Sequence, residues 1–129
     1  MLAFNRRTKI FVSKESTDMR SSYDSLFNKT KKVLNQDPFS GHLFVFMNKR
    51  RTTCKCLYYD GTGLVLIGKR LERGLFHRIN PFFSGDIILT QAEFSLLFEG
   101  SDLGKRFIES PNEVRKKKFK RSHPSNPVS

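Results

Sequence analysis

The side chains able to do chemistry fall into three groups: thiols with imidazoles, carboxylates, and cations. Cys54 and Cys56 flank Lys55, so on a strand both thiols point to the same face. His42 and His77 could supply two more donors, but Cys-x-Cys with histidines at no fixed spacing is a weak zinc pattern. A disulfide between residues two apart is strained, so reduced core thiols are expected and no metal ligand is assigned. Two-metal hydrolysis needs several carboxylates brought together. The 12 Asp and Glu sit where structural roles suffice: Asp60-Gly61 between two apolar runs is a hairpin signal, and Glu72 lies beside Arg70 and Arg73 for local pairing. A Walker-type phosphate loop, a His-Glu-x-x-His pair, a Gly-x-Ser-x-Gly elbow and a Cys-x-x-Cys are all missing. The expectation is no catalytic residue and no cofactor.

The cations are the group that spacing gathers. Lys and Arg number 24 against 12 Asp and Glu, a formal net charge of +12, and the pI is near 10.1. Such a surface attracts polyanions, of which nucleic acid is the commonest. Lys49, Arg50, Arg51, Lys55, Lys69, Arg70, Arg73 and Arg78 lie in or beside the turns of one stretch, His42 to Arg78. Separated in sequence, several should be neighbours in space. Their phosphate contacts would be charge-assisted hydrogen bonds with counterion release, giving affinity without sequence preference. Tyr58 and Tyr59 could stack on unpaired bases, or serve as ordinary strand aromatics. A second basic block, including Arg115, Lys116, Lys117 and Lys118, stands near the end of the chain; it could add non-specific DNA affinity or be only a solvated terminus.

The elements that must position these cations are short. Leu43 to Met47, Cys54 to Tyr59, Leu64 to Ile67 and Leu75 to Ile79 read as strands, separated by Lys49-Arg50-Arg51, Asp60-Gly61-Thr62-Gly63 and Glu72-Arg73-Gly74. Two of the runs are apolar at every position, as expected of strands covered on both faces. Ile10-Phe11-Val12 and Asp86 to Leu89 are further short candidates. Ser16-Thr17-Asp18 offers N-cap chemistry, and Met19, Tyr23, Leu26, Phe27, Thr30, Val33 and Leu34 place an apolar stripe on a helix ending near Asn35. Lys29, Lys31 and Lys32 favour the negative end of its dipole. Asp37-Pro38-Phe39-Ser40-Gly41 then stops the helix and turns the chain. Thr90 with Glu93 forms a capping-box pattern for a second helix, which Gly100 ends.

The predicted fold is therefore α+β: an antiparallel β-meander of about four to five short strands, packed by an N-terminal helix and a second short helix, with a disordered basic C-terminal tail. A chain of 129 residues fits one domain with a real core, rich in phenylalanine, since there are 13 Phe and no Trp. Residues 1–110 are assigned to that domain and 111–129 to the tail. Mean hydropathy is -0.48, and no run approaches the ~18 apolar residues of a membrane span. Without an apolar signal segment near Met1, a cytoplasmic location is expected, with no membrane partner.

Taken in order, the blocks from Asp37 to Phe46, from Leu57 to Leu64 and from Lys69 to Phe76 resemble the small accessory protein encoded in transposons of the insertion-sequence-sixty-six family. The resemblance extends to Thr17-Asp18-Met19-Arg20, Leu89-Thr90, Leu96 to Gly100 and Asp102. It covers residues 8 to 104 and leaves out the basic tail. Proteins of that family are encoded beside a separate, larger transposase and assist transposition. The resemblance thus implies a role in DNA recombination without an active site, with two partners: DNA, in particular transposon ends, and the transposase of the same element. A subunit that docks onto the transposase without touching DNA is the alternative. The chain departs from the family pattern at Tyr59 and Leu103, where Trp is common, and at Cys54 and Cys56.

Overall fold

The computed structural model describes residues 7–80 and 82–101, and the backbone of 107–108. The basic tail from 111, with Arg115, Lys116, Lys117 and Lys118, lies outside the described residues.

At its centre is β2 (Leu43–Met47), buried at all five positions. Such a strand needs cover on both faces, and the rest of the described chain supplies it. β2 pairs antiparallel with β3 (Thr53–Tyr59), which pairs antiparallel with β4 (Leu64–Arg70) in an unbroken register from Thr53↔Arg70 to Tyr59↔Leu64. On its other side β2 pairs with β1 (Ile10–Val12), and β1 with β6 (Ile87–Leu89), so the strand order is β4-β3-β2-β1-β6.

Two features correct the all-antiparallel meander. First, β1 runs parallel to β2, because α1 (Tyr23–Lys32) stands between them in the chain. Parallel neighbours require such a crossover, whereas a hairpin cannot make them. Second, Leu75 to Ile79 is not a further strand of the sheet. Leu75 makes only an isolated bridge to Ser101, and β5 (Arg78–Ile79) pairs in parallel with β7 (Phe107–Ile108) in a separate two-stranded ribbon. The architecture remains α+β, with a mixed sheet.

Strand alternation divides the core into two layers. Phe11, Phe44, Phe46 and Leu57 point to one face and meet Leu26 and Leu34 from the first helical segment. Ile10, Val12, Leu43, Val45, Met47, Cys54 and Cys56 point to the other, covered by Phe76, Ile79 and Leu97, the last from α2 (Gln91–Glu99).

The first helix starts later than its side chains suggest. Ser22 is its N-cap and makes no side-chain capping bond. Asp18 instead folds the preceding segment: its Oδ1 accepts from the Arg20 N–H at 2.9 Å, and its carbonyl from the Ser21 N–H at 3.0 Å. Local side-chain bonding of this kind competes with helix, and Met19 is left outside α1. At the second helix the expectation holds in detail. Thr90 Oγ1 accepts from the Glu93 N–H, the Glu93 carboxylate accepts from the Thr90 N–H, and Gly100 is the C-cap.

Candidate nucleic-acid interface

One end of the sheet collects basic side chains, and turn chemistry builds it. Between β2 and β3, Asn48 Oδ1 accepts from the backbone N–H groups of Thr52 and Thr53 at 2.9 and 3.1 Å, while its Nδ2 donates to Thr52 Oγ1 at 2.9 Å. The Arg51 N–H closes the turn on the Asn48 carbonyl at 3.0 Å. Lys49 and Arg50 stand exposed at its tip. Asn48 was not among the expected functional residues, although Asn before a run of turn residues signals this bonding.

The end of β4 closes against the same turn. The Leu71 N–H donates to the Thr52 carbonyl, and the Phe76 N–H to the Arg51 carbonyl, each at 2.8 Å. The chain between them, with Glu72, Arg73 and Gly74, therefore loops out beside Lys49 and Arg50. Arg70 lies opposite Thr53 in the ladder, and Arg78 is near enough to Arg51 that its charge, after burial, lowers the Arg51 pKa. Lys49, Arg50, Arg51, Arg70, Arg73 and Arg78 thus share one end of the molecule.

The eight expected cations do not all present themselves alike. Lys49, Arg50 and Arg73 are exposed and hold no partner among the described residues. Arg70 is exposed in an ion pair with Glu72 at 3.3 Å, as local pairing of Glu72 predicts. Arg78 is exposed on β5. The other three support the fold. Lys55 Nζ donates to the carbonyls of Met19 and Ser21 at 2.8 and 2.7 Å, tying the start of α1 to the sheet. Lys69 Nζ donates to the Phe98 carbonyl at 2.7 Å and lies 4.9 Å from the centre of the Phe98 ring, so it serves the C-terminal turn of α2. Arg51 holds a left-handed backbone, φ 61°, and its Nη1 donates to the Phe76 carbonyl at 3.2 Å.

The remaining candidates serve the core and the turns. Cys54 and Cys56 share one face as expected, and both are free and buried. The hydrogen bond with Cys54, with burial, pushes the Cys56 thiol well above its ordinary pKa. His42 Nδ1 accepts from the Lys9 N–H at 3.0 Å, and among the described residues no group of three or more His, Cys, Asp and Glu could hold a metal ion. Asp60 is a turn residue: Oδ1 accepts from the N–H groups of Thr62 and Gly63 and from Thr62 Oγ1, and these bonds lower its pKa. The tyrosines point to opposite faces. Tyr58 packs on the core of the α2 side, and Tyr59 donates its hydroxyl to the Gly61 carbonyl at 2.9 Å. Tyr59 stands six strand positions from Thr53, about 20 Å at strand rise, so the two tyrosines form no shared stacking platform beside the basic turns. Tyr59 instead meets Phe39 edge-on at 5.0 Å, and Phe39 meets Phe27 at 5.1 Å. Phe39 remains 54% exposed.

Residues 8–107 match the family model described as IS66 Orf2 like protein. Two relatives from Sinorhizobium fredii (strain NBRC 101917 / NGR234) are similar over most of their length. "Uncharacterized protein y4jC" is 35% identical over 117 residues, covering 88% of this chain and 99% of the relative. "Uncharacterized protein y4hO" is 34% identical over 103 residues, covering 79% and 88%. No solved structure matches.

Proposed function

From the premise that the chain belongs to the IS66 Orf2-like family, we propose that it is a non-catalytic accessory protein of transposition that holds DNA phosphates with the basic end of its sheet. The observation that carries this reading is the convergence of Lys49, Arg50, Arg70, Arg73 and Arg78 at one end, with Lys49, Arg50 and Arg73 free of partners among the described residues. Cations held on turns at a rigid sheet end contact the backbone of a duplex and confer no base preference by themselves. Sequence selection would then rest with the element's transposase, the second partner.

The test separates the presenting cations from the supporting ones. Replacing Lys49 and Arg50 with Ala should weaken binding to all duplexes alike and flatten the plot of log K against log salt by roughly 1.8, at about 0.9 per phosphate lost. An unchanged slope removes this end from the DNA surface.

A second reading, docking onto the transposase without DNA contact, draws support from the half-exposed Phe39 in its group with Phe27 and Tyr59. Under it, Phe39→Ala would abolish a pull-down of transposase that survives high salt, and the isolated chain would not shift DNA.

A further inference from the structure

We propose that β4 is the seam of a symmetric dimer, in which the β4 edges of two copies of this chain pair antiparallel and join the two sheets into one. β4 is the outer strand of the sheet on its side and is seven residues long. Its ladder to β3 shows which groups are left over. The Asp60 N–H donates to the Gly63 carbonyl and the Leu71 N–H to the Thr52 carbonyl. These bonds set the phase, so Val65, Ile67 and Lys69 turn their backbone groups toward β3, while Leu64, Leu66, Gly68 and Arg70 turn theirs outward. No described residue bonds to those outward groups.

Proteins usually protect such an edge with a short strand, a bulge, a proline or inward charge. β4 has none of these over its first five positions: the register is unbroken, and Leu64-Val65-Leu66-Ile67-Gly68 carries neither proline nor charge. Leu64 to Ile67 are each only half-buried, so a second strand would complete their cover. The opposite edge, β6, offers three residues.

Charge along the edge selects the second copy and its direction. β4 follows the exposed Asp60 turn and ends in a segment that stays net positive, with Lys69, Arg70 and Arg73 against Glu72, the ion-pair partner of Arg70. Antiparallel pairing about a twofold axis sets each Asp60 turn toward the other copy's Arg70, twice by symmetry, whereas parallel pairing would set like charges together. The two basic ends then face in opposite directions along the joined sheet. The dimer requires no DNA, so it stands or falls apart from the DNA-binding reading.

Sedimentation equilibrium of the full chain without DNA, at about 0.15 M salt to screen the net positive charge, should give twice the 15.0 kDa of one chain. Amide hydrogen exchange by NMR then locates the seam. In the dimer, the amides of Leu64, Leu66, Gly68 and Arg70 should be protected together with those of Val65, Ile67 and Lys69, and should lose that protection on dilution to monomer. Leu66→Lys, which places one cation from each copy in the joined apolar surface, should weaken association about tenfold or more. The exchange measurement on the unaltered chain holds whether or not that variant folds. A monomeric mass at every concentration, or a dimer whose outward β4 amides exchange freely, would overturn the proposal.

Discussion

Lys55 and Lys69 illustrate how a cation's role depends on what its ammonium reaches. Both lie in the basic stretch, yet each spends its charge on backbone carbonyls, Lys55 on Met19 and Ser21 and Lys69 on Phe98. Lys55→Met and Lys69→Met should each lower stability by about 1–3 kcal/mol, the cost of removing charge-assisted hydrogen bonds from part-buried carbonyls. Lys49→Ala and Arg50→Ala should stay within about 0.5 kcal/mol, as exposed substitutions do. Urea unfolding distinguishes the two classes, and equal losses at all four positions would refute the division. His42 provides a pH-dependent counterpart. Its burial, and then the charge of Lys9, hold its pKa below the ordinary 6.5, while Nδ1 accepts the Lys9 N–H. The unfolded chain therefore takes up this proton first as pH falls. The stability contributed by neutral His42 is complete above pH 6.5 and is lost as pH drops from there to the lowered folded value. The Asp18 carboxylate, held at about 2 by its bonds to Arg20, and Asp60 act in a separate window, below their ordinary 3.8. Denaturant midpoints between pH 7.5 and 5 should fall in the native chain and fall less in His42→Asn.

Elements were legible where one local signal was complete and obscure where partners come from far along the chain. The α2 capping box is the first kind: Thr90 and Glu93 bond reciprocally, and Thr90→Ala should cost about 1 kcal/mol in thermal or urea unfolding. β2 is another, since five consecutive apolar residues demanded cover on two faces and received it. The start of α1 is the opposite case. The apolar stripe predicted a helix from Met19, but Asp18 bonded Arg20 and Ser21 locally and delayed helix entry to Tyr23. Nor could periodicity show that β1 enters the sheet parallel to β2, although a helix between two strands is the signature of such a crossover. The candidate interface divides in the same manner. That the turns meet was readable from strand order, with Asn48 to Arg51 and Arg70 to Arg73 at one end. That Lys55 and Lys69 would be drawn into helix support was not, because their carbonyl partners lie 36 and 34 residues away for Lys55 and 29 for Lys69.

For the molecule as a whole, charge and fold are distributed differently, and that difference can be measured. The family match ends at residue 107, while residues 111–129 carry six of the 24 basic side chains and one of the 12 acidic ones. The sheet end fixes its cations in place, with Lys49 and Arg50 on a turn held by Asn48 and Thr52. Fixed cations on turns and a dense basic run both act on the phosphate backbone, the run chiefly through counterion release, and neither reads the bases. Deleting residues 111–129 should therefore lower affinity for element-end and random DNA by the same factor and reduce the salt slope. The ratio of the two affinities should not change. Titrations at two salt concentrations, with both duplexes and both chain lengths, measure each quantity directly. A deletion that changed the ratio would assign the tail a part in selecting DNA; one that changed neither affinity nor slope would leave all phosphate contact to the turns around Lys49, Arg50 and Arg73.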